Sequence, residues 1–98
     1  MTLSICIRKD AEADIASAFE YYEACREGLG QEFLLCLEAA FSGVSRNPAK
    51  YRRIYKKIMR TTIHRFPYAI YFLEKDQSIV VIAVMHIRRD PINWQERH

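Results

Sequence analysis

Two apolar runs in the second half of the chain predict a β-hairpin. Residues 68–73 and 79–85 are rich in β-branched and aromatic side chains, and each run has the length of a strand. The charged and polar residues between them, 74–78, suit a hairpin loop. Residues 79–85 are apolar at every position, which indicates a central strand with both faces at least partly covered. A buried helix segment is the alternative, but the run is short and strongly β-branched.

The first half of the chain carries one strand pattern and two helical patterns. Residues 3–8 alternate between apolar and polar, which predicts a strand with one buried face. A helix with Asp10 as its N-cap then runs to about Arg26. A second helix runs from near Gly30 to Asn47, where the following proline ends it. Two helices joined by so short a link fold back on each other as an antiparallel α-hairpin.

The segment before the hairpin predicts further strands. One strand spans residues 53–58, a tight turn follows near residues 59–60, and the next strand starts at 61 or 62. Pro67 leaves open whether that strand and residues 68–74 are one strand or two. The predicted order is β-α-α-β-β-β, an α+β two-layer domain over residues 1–98 with the α-hairpin packed on an antiparallel sheet. The predicted core includes Phe19, Tyr22, Phe33, Leu37, Phe41, Tyr71, Val81 and Ala83.

The distribution of charge is more informative than the formal net charge of +3. Residues 50–65 hold seven basic side chains and no acidic one. Because so many neighbouring cations cannot all be buried, they predict a positive surface. Its partner is either a polyanion such as nucleic acid or an acidic protein, and charge does not distinguish the two. A solvated face that only keeps the protein in solution is the alternative.

The cysteines give no disulfide or zinc signal. Cys6, Cys25 and Cys36 are odd in number, lack C-x-x-C spacing and lie among apolar neighbours. They predict buried, reduced thiols in a cytoplasmic protein, and the sequence predicts no metal and no other cofactor. The first residues do not resemble a signal peptide, and a seven-residue apolar run is too short to span a bilayer.

The residues of the predicted hairpin resemble a known family. Residues 65–72 read RFPYAIYF, residues 79–86 read IVVIAVMH, and residues 88–91 read RRDP. This pattern is similar to the RelE/ParE superfamily, the toxins of bacterial type II toxin–antitoxin modules, and most of all to its ParE-like, plasmid-stabilisation branch. The predicted order of elements is that of the RelE/ParE fold, so the resemblance covers nearly the whole chain.

The resemblance implies a growth-inhibiting toxin that binds its target non-covalently. For characterised ParE members the target is DNA gyrase, and a cognate antitoxin neutralises the toxin in a hetero-oligomer. No membrane partner is implied. The candidate residues for contact with the target or the antitoxin are Arg52, Arg53, Lys56, Lys57, Arg65, His86, Arg88, Arg89 and Trp94.

A RelE-like, ribosome-dependent endoribonuclease acting on messenger RNA is the alternative. Such an enzyme needs a base for the 2′-hydroxyl, an acid for the leaving oxygen and cations at the phosphorane, and RelE-like toxins place basic residues on the concave face of the sheet. Arg65 matches the arginine that opens the central hairpin in those enzymes. The chain has no tyrosine after Tyr71, and Trp94 cannot transfer protons, which argues against nuclease activity. The other candidates are Lys57, His64, His86 and Arg88, with a structural role as the alternative for both histidines.

The apolar run at residues 79–85 also predicts that both faces of the sheet need cover. The α-hairpin covers one face, and Trp94 in the tail beyond Asp90 packs back over part of the other. The chain's own loops or another protein must cover the remainder, because a large uncovered apolar patch would be unusual on a monomer. We expect an extended, amphipathic antitoxin segment to dock with its apolar side chains on the sheet or in a helix groove. Its acidic side chains would then lie near Arg52, Arg53, Lys56, Lys57 and Arg65.

Overall fold

The computed structural model describes residues 2–98 and shows an α-hairpin followed by a sheet. The elements are β1 (Ser4–Ile7), α1 (Lys9–Cys25), α2 (Leu29–Arg46), a 3-10 turn (Pro48–Lys50), β2 (Arg53–Tyr55), β3 (Ile58–Thr62), β4 (Tyr68–Lys75), β5 (Ser78–His86) and α3 (Ile92–Gln95). The five strands lie in the order β1-β5-β4-β3-β2. This confirms the predicted α+β two-layer fold. Among the residues described, no helix is long and apolar enough to cross a membrane.

The sheet is mixed, so the prediction of an antiparallel sheet is wrong at one strand. Strands β2 to β5 form the expected antiparallel meander. β1, however, pairs in parallel with β5, with Ser4 opposite Ser78 and Ile7 opposite Val81. A central strand that is buried on both faces needs a neighbour on each edge. β1 supplies that neighbour because β4 occupies only one edge of β5.

Two turns differ from the sequence prediction. The turn between β2 and β3 lies at Lys56-Lys57 instead of residues 59–60, with Lys56 at a φ of 51°. The turn between β4 and β5 is only two residues long, Asp76 and Gln77, and both have positive φ. Such a turn matches the twist of the flanking strands, so the strands extend further than expected. Residues 63–67 separate β3 from β4, which shows that these are two strands.

The link between the helices depends on two glycines and one glutamate. Gly28 has a φ of 87°, a conformation that glycine adopts without steric cost. The Glu23 carboxylate of α1 accepts the backbone N–H groups of Gly28 at 2.9 Å and Gly30 at 3.0 Å, so it satisfies donors at the start of α2. A Cβ on Gly30 would lie 2.8 Å from the Phe19 ring. The two helices therefore approach each other closely only because residue 30 has no side chain.

The start of α1 differs from the prediction that Asp10 is the N-cap. The helix begins at Lys9, and the N-cap residue is Arg8, which has no side-chain capping bond. The Arg8 backbone N–H donates to the carbonyl of Val81 at 3.0 Å, so the helix starts directly at the end of β1. Asp10 lies instead in the first helical turn, where a carboxylate still opposes the positive end of the helix dipole.

The α-hairpin packs on one face of the sheet, which we call the helix face. Aromatic rings form its densest part, with ring centroids 4.8 Å apart for Tyr22 and Phe66 and 5.3 Å apart for Phe33 and Phe66. Burial of these side chains is the main favourable term that holds the helices on the sheet. Of the predicted core residues, Phe33, Leu37, Tyr71, Val81 and Ala83 are buried, whereas Phe19, Tyr22 and Phe41 are half-buried.

The opposite face, which we call the tail face, is covered by the chain itself. Its apolar centre consists of side chains at most 9% exposed, and they belong to Ile58, Ala69, Tyr71, Leu73, Ile82, Ala83, Met85 and Trp94. The indole of Trp94 stacks on the ring of Tyr71 with centroids 4.5 Å apart and an interplanar angle of 15°. This confirms that the tail packs back on the fold. The expectation that the tail leaves an apolar patch on this face is wrong, because α3 buries it.

A β-bulge contributes to the tail face. Tyr71 pairs with Ala83 and Phe72 with Val81, so Ile82 has no partner on β4. The bulge places the successive residues Ile82 and Ala83 on the same face, against the usual alternation of a strand. The extra apolar side chain adds to the surface on which Trp94 and its neighbours pack.

The cysteines are free, but they are not buried as predicted. Cys6 and Cys25 are exposed, and Cys36 is half-buried. Cys6 lies on the edge strand β1, and Cys25 lies at the end of α1, where the next residue already leaves the helix. Apolar neighbours in sequence therefore did not indicate burial at these positions.

We expect Gly30→Ala to destabilise the fold by about 1 to 3 kcal/mol, since the new methyl group forces the Phe19 ring and the Glu23 carboxylate to move. Urea denaturation measures the change. Gly43→Ala in the same helix is the matched control, because its Cβ would meet only the Tyr51 hydroxyl at 3.3 Å. A Gly30→Ala protein at least as stable as the Gly43→Ala protein would contradict the close helix approach.

Candidate functional site

The predicted site residues lie at two opposite ends of the sheet. Lys57 immediately precedes β3, whereas His64 and Arg65 follow its end at Thr62. The four residue steps of β3 separate these ends by roughly 14 Å at about 3.4 Å per step. His86 pairs with Tyr68 at the same end as His64 and Arg65. The five candidate nuclease residues therefore do not form one cluster, because Lys57 lies far from the other four.

The basic edge, defined as Arg52, Arg53, Lys56 and Lys57, lies along β2. All four side chains are exposed, and none of them forms an ion pair within residues 2–98. Arg53 and Lys57 line a shallow cleft of about 240 Å³ together with Tyr51 and the carboxylate of Glu74. The edge is thus a cationic surface that is open to an anionic partner.

Arg65 is held by an acidic residue of the α-hairpin. Its guanidinium donates to the Glu32 carboxylate at 2.7 Å, and Arg26 donates to the same carboxylate at 3.0 Å. The hydrogen bond from Arg65, followed by that from Arg26, lowers the pKa of Glu32. Arg65 also has a φ of 74° and lies over the Phe66 ring, 5.5 Å from its centroid. An anion that binds Arg65 must therefore compete with Glu32.

His86 borders a cleft between the end of β5 and α1. Its Nδ1 accepts the backbone N–H of Arg88 at 3.0 Å, which places the proton of the neutral imidazole on Nε2. The ring packs edge-on against Tyr68, with centroids 5.6 Å apart. Burial is the largest cause that raises the pKa of the Tyr68 phenol, and Tyr21 adds to it while Arg89 opposes it. The cleft thus places the Tyr68 phenol beside an imidazole.

Two residues that the sequence analysis did not single out anchor the C-terminal tail. The Arg97 guanidinium donates to the Asp14 carboxylate at 2.6 Å, and both side chains are mostly buried. Asp14 also accepts the backbone N–H of Val84 at 3.1 Å, while Arg97 donates to the carbonyl of Ile82 at 3.1 Å. Eighty-three positions separate the two residues, so no local sequence signal links them.

An apolar groove lies on the outside of the α-hairpin, and the sequence alone did not show which residues line it. It has a volume of about 500 Å³ and is lined mainly by Ile7, Ile15, Phe19 and Leu34. Glu12 and Glu20 lie at its rim. Phe19, which the sequence predicts as a core residue, is half-buried and lines this surface groove.

Comparison with known proteins identifies the family. The model of the ParE toxin of type II toxin–antitoxin systems, parDE, matches residues 5–91. This chain belongs to the ParE toxin family. A search of curated proteins found no match. The family match ends before α3, so Trp94 and Arg97 lie outside it.

Two solved structures show the same fold as this ParE-family chain. A chain of the chromosomal ParDE toxin–antitoxin system from P. aeruginosa superposes with a TM-score of 0.77 at 13% identity, covering 87% of this chain and 96% of that one. A chain of the toxin–antitoxin complex RelBE2 from Mycobacterium tuberculosis superposes with a TM-score of 0.62 at 15% identity, covering 88% and 99%. Both similarities are similarities of fold.

We expect Trp94→Ala in this ParE-family chain to cost about 3 to 5 kcal/mol of stability, because it removes the ring that covers Tyr71. Urea denaturation measures the loss. Trp94→Phe keeps a ring on Tyr71 and should lose clearly less. A loss within about 0.5 kcal/mol, the range of surface substitutions, would show that the tail does not bury this face.

The Glu32 ion pairs predict a pH dependence of stability. The folded-state pKa of Glu32 lies below its unfolded value. Its ion pairs therefore stabilise the folded protein fully at pH values above the usual carboxyl range, and this stabilisation is lost as the pH falls through the folded-state pKa. Glu32→Gln should therefore lower the urea midpoint at neutral pH and match the wild type in strong acid. Glu38→Gln, on an exposed and unpaired position of the same helix, is the control. An equal difference between Glu32→Gln and wild type at every pH would contradict the ion pairs.

Proposed function

We propose that this ParE-family toxin inhibits growth by binding DNA gyrase non-covalently in the cytoplasm, and that a cognate antitoxin neutralises it in a hetero-oligomer. The observation that carries the proposal is the family match over residues 5–91. The fold shared with a chain of a chromosomal ParDE system supports it. The plasmid-stabilisation role of the ParE-like branch belongs to the same proposal.

The tail face supports binding over catalysis. RelE-like nucleases use basic residues on the concave face of the sheet, but here the middle of the face opposite the helices is apolar and buried under Trp94. By strand alternation, this face carries the exposed cations Arg60 of β3 and Lys75 of β4, and Lys75 lies four residues along β4 from Tyr71, the partner of Arg60. A phosphorane needs several cations and proton-transfer groups within hydrogen-bond reach. This face does not offer such a set.

The RelE-like endoribonuclease is the second candidate, since a RelBE2 chain shares the fold. Its residues would be His64, Arg65, His86 and Arg88 at one end of the sheet. Lys57 lies at the opposite end, and Arg65 is paired with Glu32. These positions make a concerted role of all five residues less favourable than a role in binding.

Two surfaces suit the proposed antitoxin. The basic edge along β2 can attract acidic side chains, and the groove on the α-hairpin can accept the apolar side of an amphipathic segment. Ion pairs at an exposed rim raise the association rate more than the affinity, so antitoxin binding should slow as salt rises.

A paired assay tests the proposed function. The purified chain should inhibit DNA supercoiling by gyrase and leave both translation and messenger RNA intact in a cell-free system. Preincubation with the protein encoded by the adjacent reading frame should restore supercoiling. Cleaved messenger RNA with normal supercoiling would support the nuclease instead, and inhibition of neither process would contradict both functions.

A further inference from the structure

The positive charge of the basic edge continues around the margin of the sheet from one face to the other. Arg53 pairs with Met59, a residue of the helix face. Arg60 pairs with Tyr71, a residue of the tail face. Because paired residues on neighbouring strands project to the same side, the two arginines lie on opposite faces. The Lys56-Lys57 turn joins the two strands, so the cations surround the outer margin of the sheet.

Little acidic charge offsets these cations. Lys50 and Arg60 flank the basic edge, and they too are exposed and form no ion pair within residues 2–98. Glu74 is the acidic residue in the lining of the cleft beside the edge. The charges of Lys75 and Asp76, which follow it, balance each other. The margin therefore keeps a clear excess of positive charge.

The outer strand of this margin is poorly suited to pairing with a strand of another chain. β2 has three residues, and its register with β3 shifts between Arg53 and Tyr55. Short length, such a bulge and lysines beside the strand are features that hinder strand addition. A partner therefore meets side-chain cations here and not a regular row of backbone groups.

The basic edge offers no apolar anchor for a protein partner. Ile54, 41% exposed, is its one large apolar side chain on the surface, and single exposed residues of this kind are ordinary. A stable protein interface needs a buried apolar or aromatic centre, whereas a phosphate backbone is bound by cations alone. The edge thus matches a nucleic acid better than an acidic protein.

The two aromatic rings near the edge are already in contact with other side chains. Tyr51 and Tyr55 are half-buried. The Lys50 ammonium lies 5.5 Å from the centroid of the Tyr51 ring, and the Lys56 ammonium lies 5.3 Å from that of Tyr55. Tyr55 also packs edge-on against Trp94, with centroids 6.1 Å apart. Proteins that bind single strands stack the bases on free aromatic rings, so this surface suits a duplex instead.

We propose that the basic edge, together with Lys50 and Arg60, binds the phosphate backbone of duplex DNA without reading its sequence. The cations release counterions from the backbone, which drives the association. This activity goes beyond the proposed function, because it needs neither gyrase nor an antitoxin. Its consequence does rest on the proposed function: a toxin held on duplex DNA is concentrated at the substrate of its target.

Two matched double variants test the surface. Arg52→Gln with Arg53→Gln removes two neighbouring charges of the basic edge. Arg88→Gln with Arg89→Gln removes two neighbouring charges that are also exposed and unpaired within residues 2–98, but that follow the opposite end of the sheet. Both variants change the net charge equally. The probe is a short fluorescein-labelled DNA duplex, and anisotropy gives its dissociation constant over a range of salt concentrations.

We expect the logarithm of the affinity to fall linearly with the logarithm of the salt concentration, with a slope of about −0.9 per phosphate contact. Two duplexes of unrelated sequence should bind equally. The Arg52 and Arg53 double variant should bind about tenfold more weakly at low salt and lose about one unit of slope per arginine, since each removes a phosphate contact. The Arg88 and Arg89 double variant should stay close to the wild type.

Several results would overturn the inference. They are equal losses in the two double variants, no binding of the duplex even at low salt, and tighter binding of single-stranded than of duplex DNA. A further one is a basic-edge variant that keeps its affinity for DNA and loses affinity for the protein encoded by the adjacent reading frame, because the edge is then an antitoxin surface. The DNA assay contains no gyrase, so its failure leaves the proposed function standing.

Discussion

The burial of β5 on both of its faces is the constraint on which the rest of the structure depends. A strand that is apolar at every position from Ile79 to Met85 must have a layer on each side. The α-hairpin provides one layer, and α3 with Trp94 provides the other. Because the layers come from opposite ends of the chain, the central strand joins the N-terminal and C-terminal parts into one core.

Because apolar layers cover both faces of the central strand, many charged residues lie at the margins of the sheet. The basic edge lies along the outermost strand, β2, and further cations lie in the loop after β3 and in the tail after β5. Arg65 and Arg97 are then neutralised by Glu32 and Asp14, which are both helix residues. The basic edge and Arg89, which borders the cleft at the end of β5, are among the cations that form no ion pair within residues 2–98, and these surfaces suit anionic partners.

The sequence predicts the elements of this fold well because most of them follow from local patterns. The apolar period of the two helices, the glycine link and the alternation in the strands are all readable within a few residues. The parallel pairing of β1 with β5 cannot be predicted from a local pattern, because it depends on which edge of β5 the antiparallel meander leaves free. The turn at Lys56-Lys57 was misplaced since apolar and basic residues alternate on both sides of it and no glycine or proline marks it.

The sequence predicts less of the candidate site than of the fold, because the contacts that form the site join residues far apart in the sequence. The basic residues and His86 stand out by composition and by family resemblance. Glu32, the partner of Arg65, and Asp14, the partner of Val84, do not stand out in the sequence. Each resembles an ordinary charged residue on a helix surface, and only the fold places it next to the sheet. The prediction of an uncovered second face was wrong because one indole and a β-bulge bury more of the face than an eight-residue tail suggests.

The central claim is that the chain covers both faces of β5 by itself and folds without a partner. Native-state amide exchange of Ala83 and Met85, whose backbone groups point to β4, tests it most directly. We predict that these amides exchange in the isolated protein only through global unfolding, so the rate follows the full denaturant dependence of stability. Fast exchange that is independent of denaturant would show that the tail face opens locally, and that the fold needs its antitoxin to complete the core.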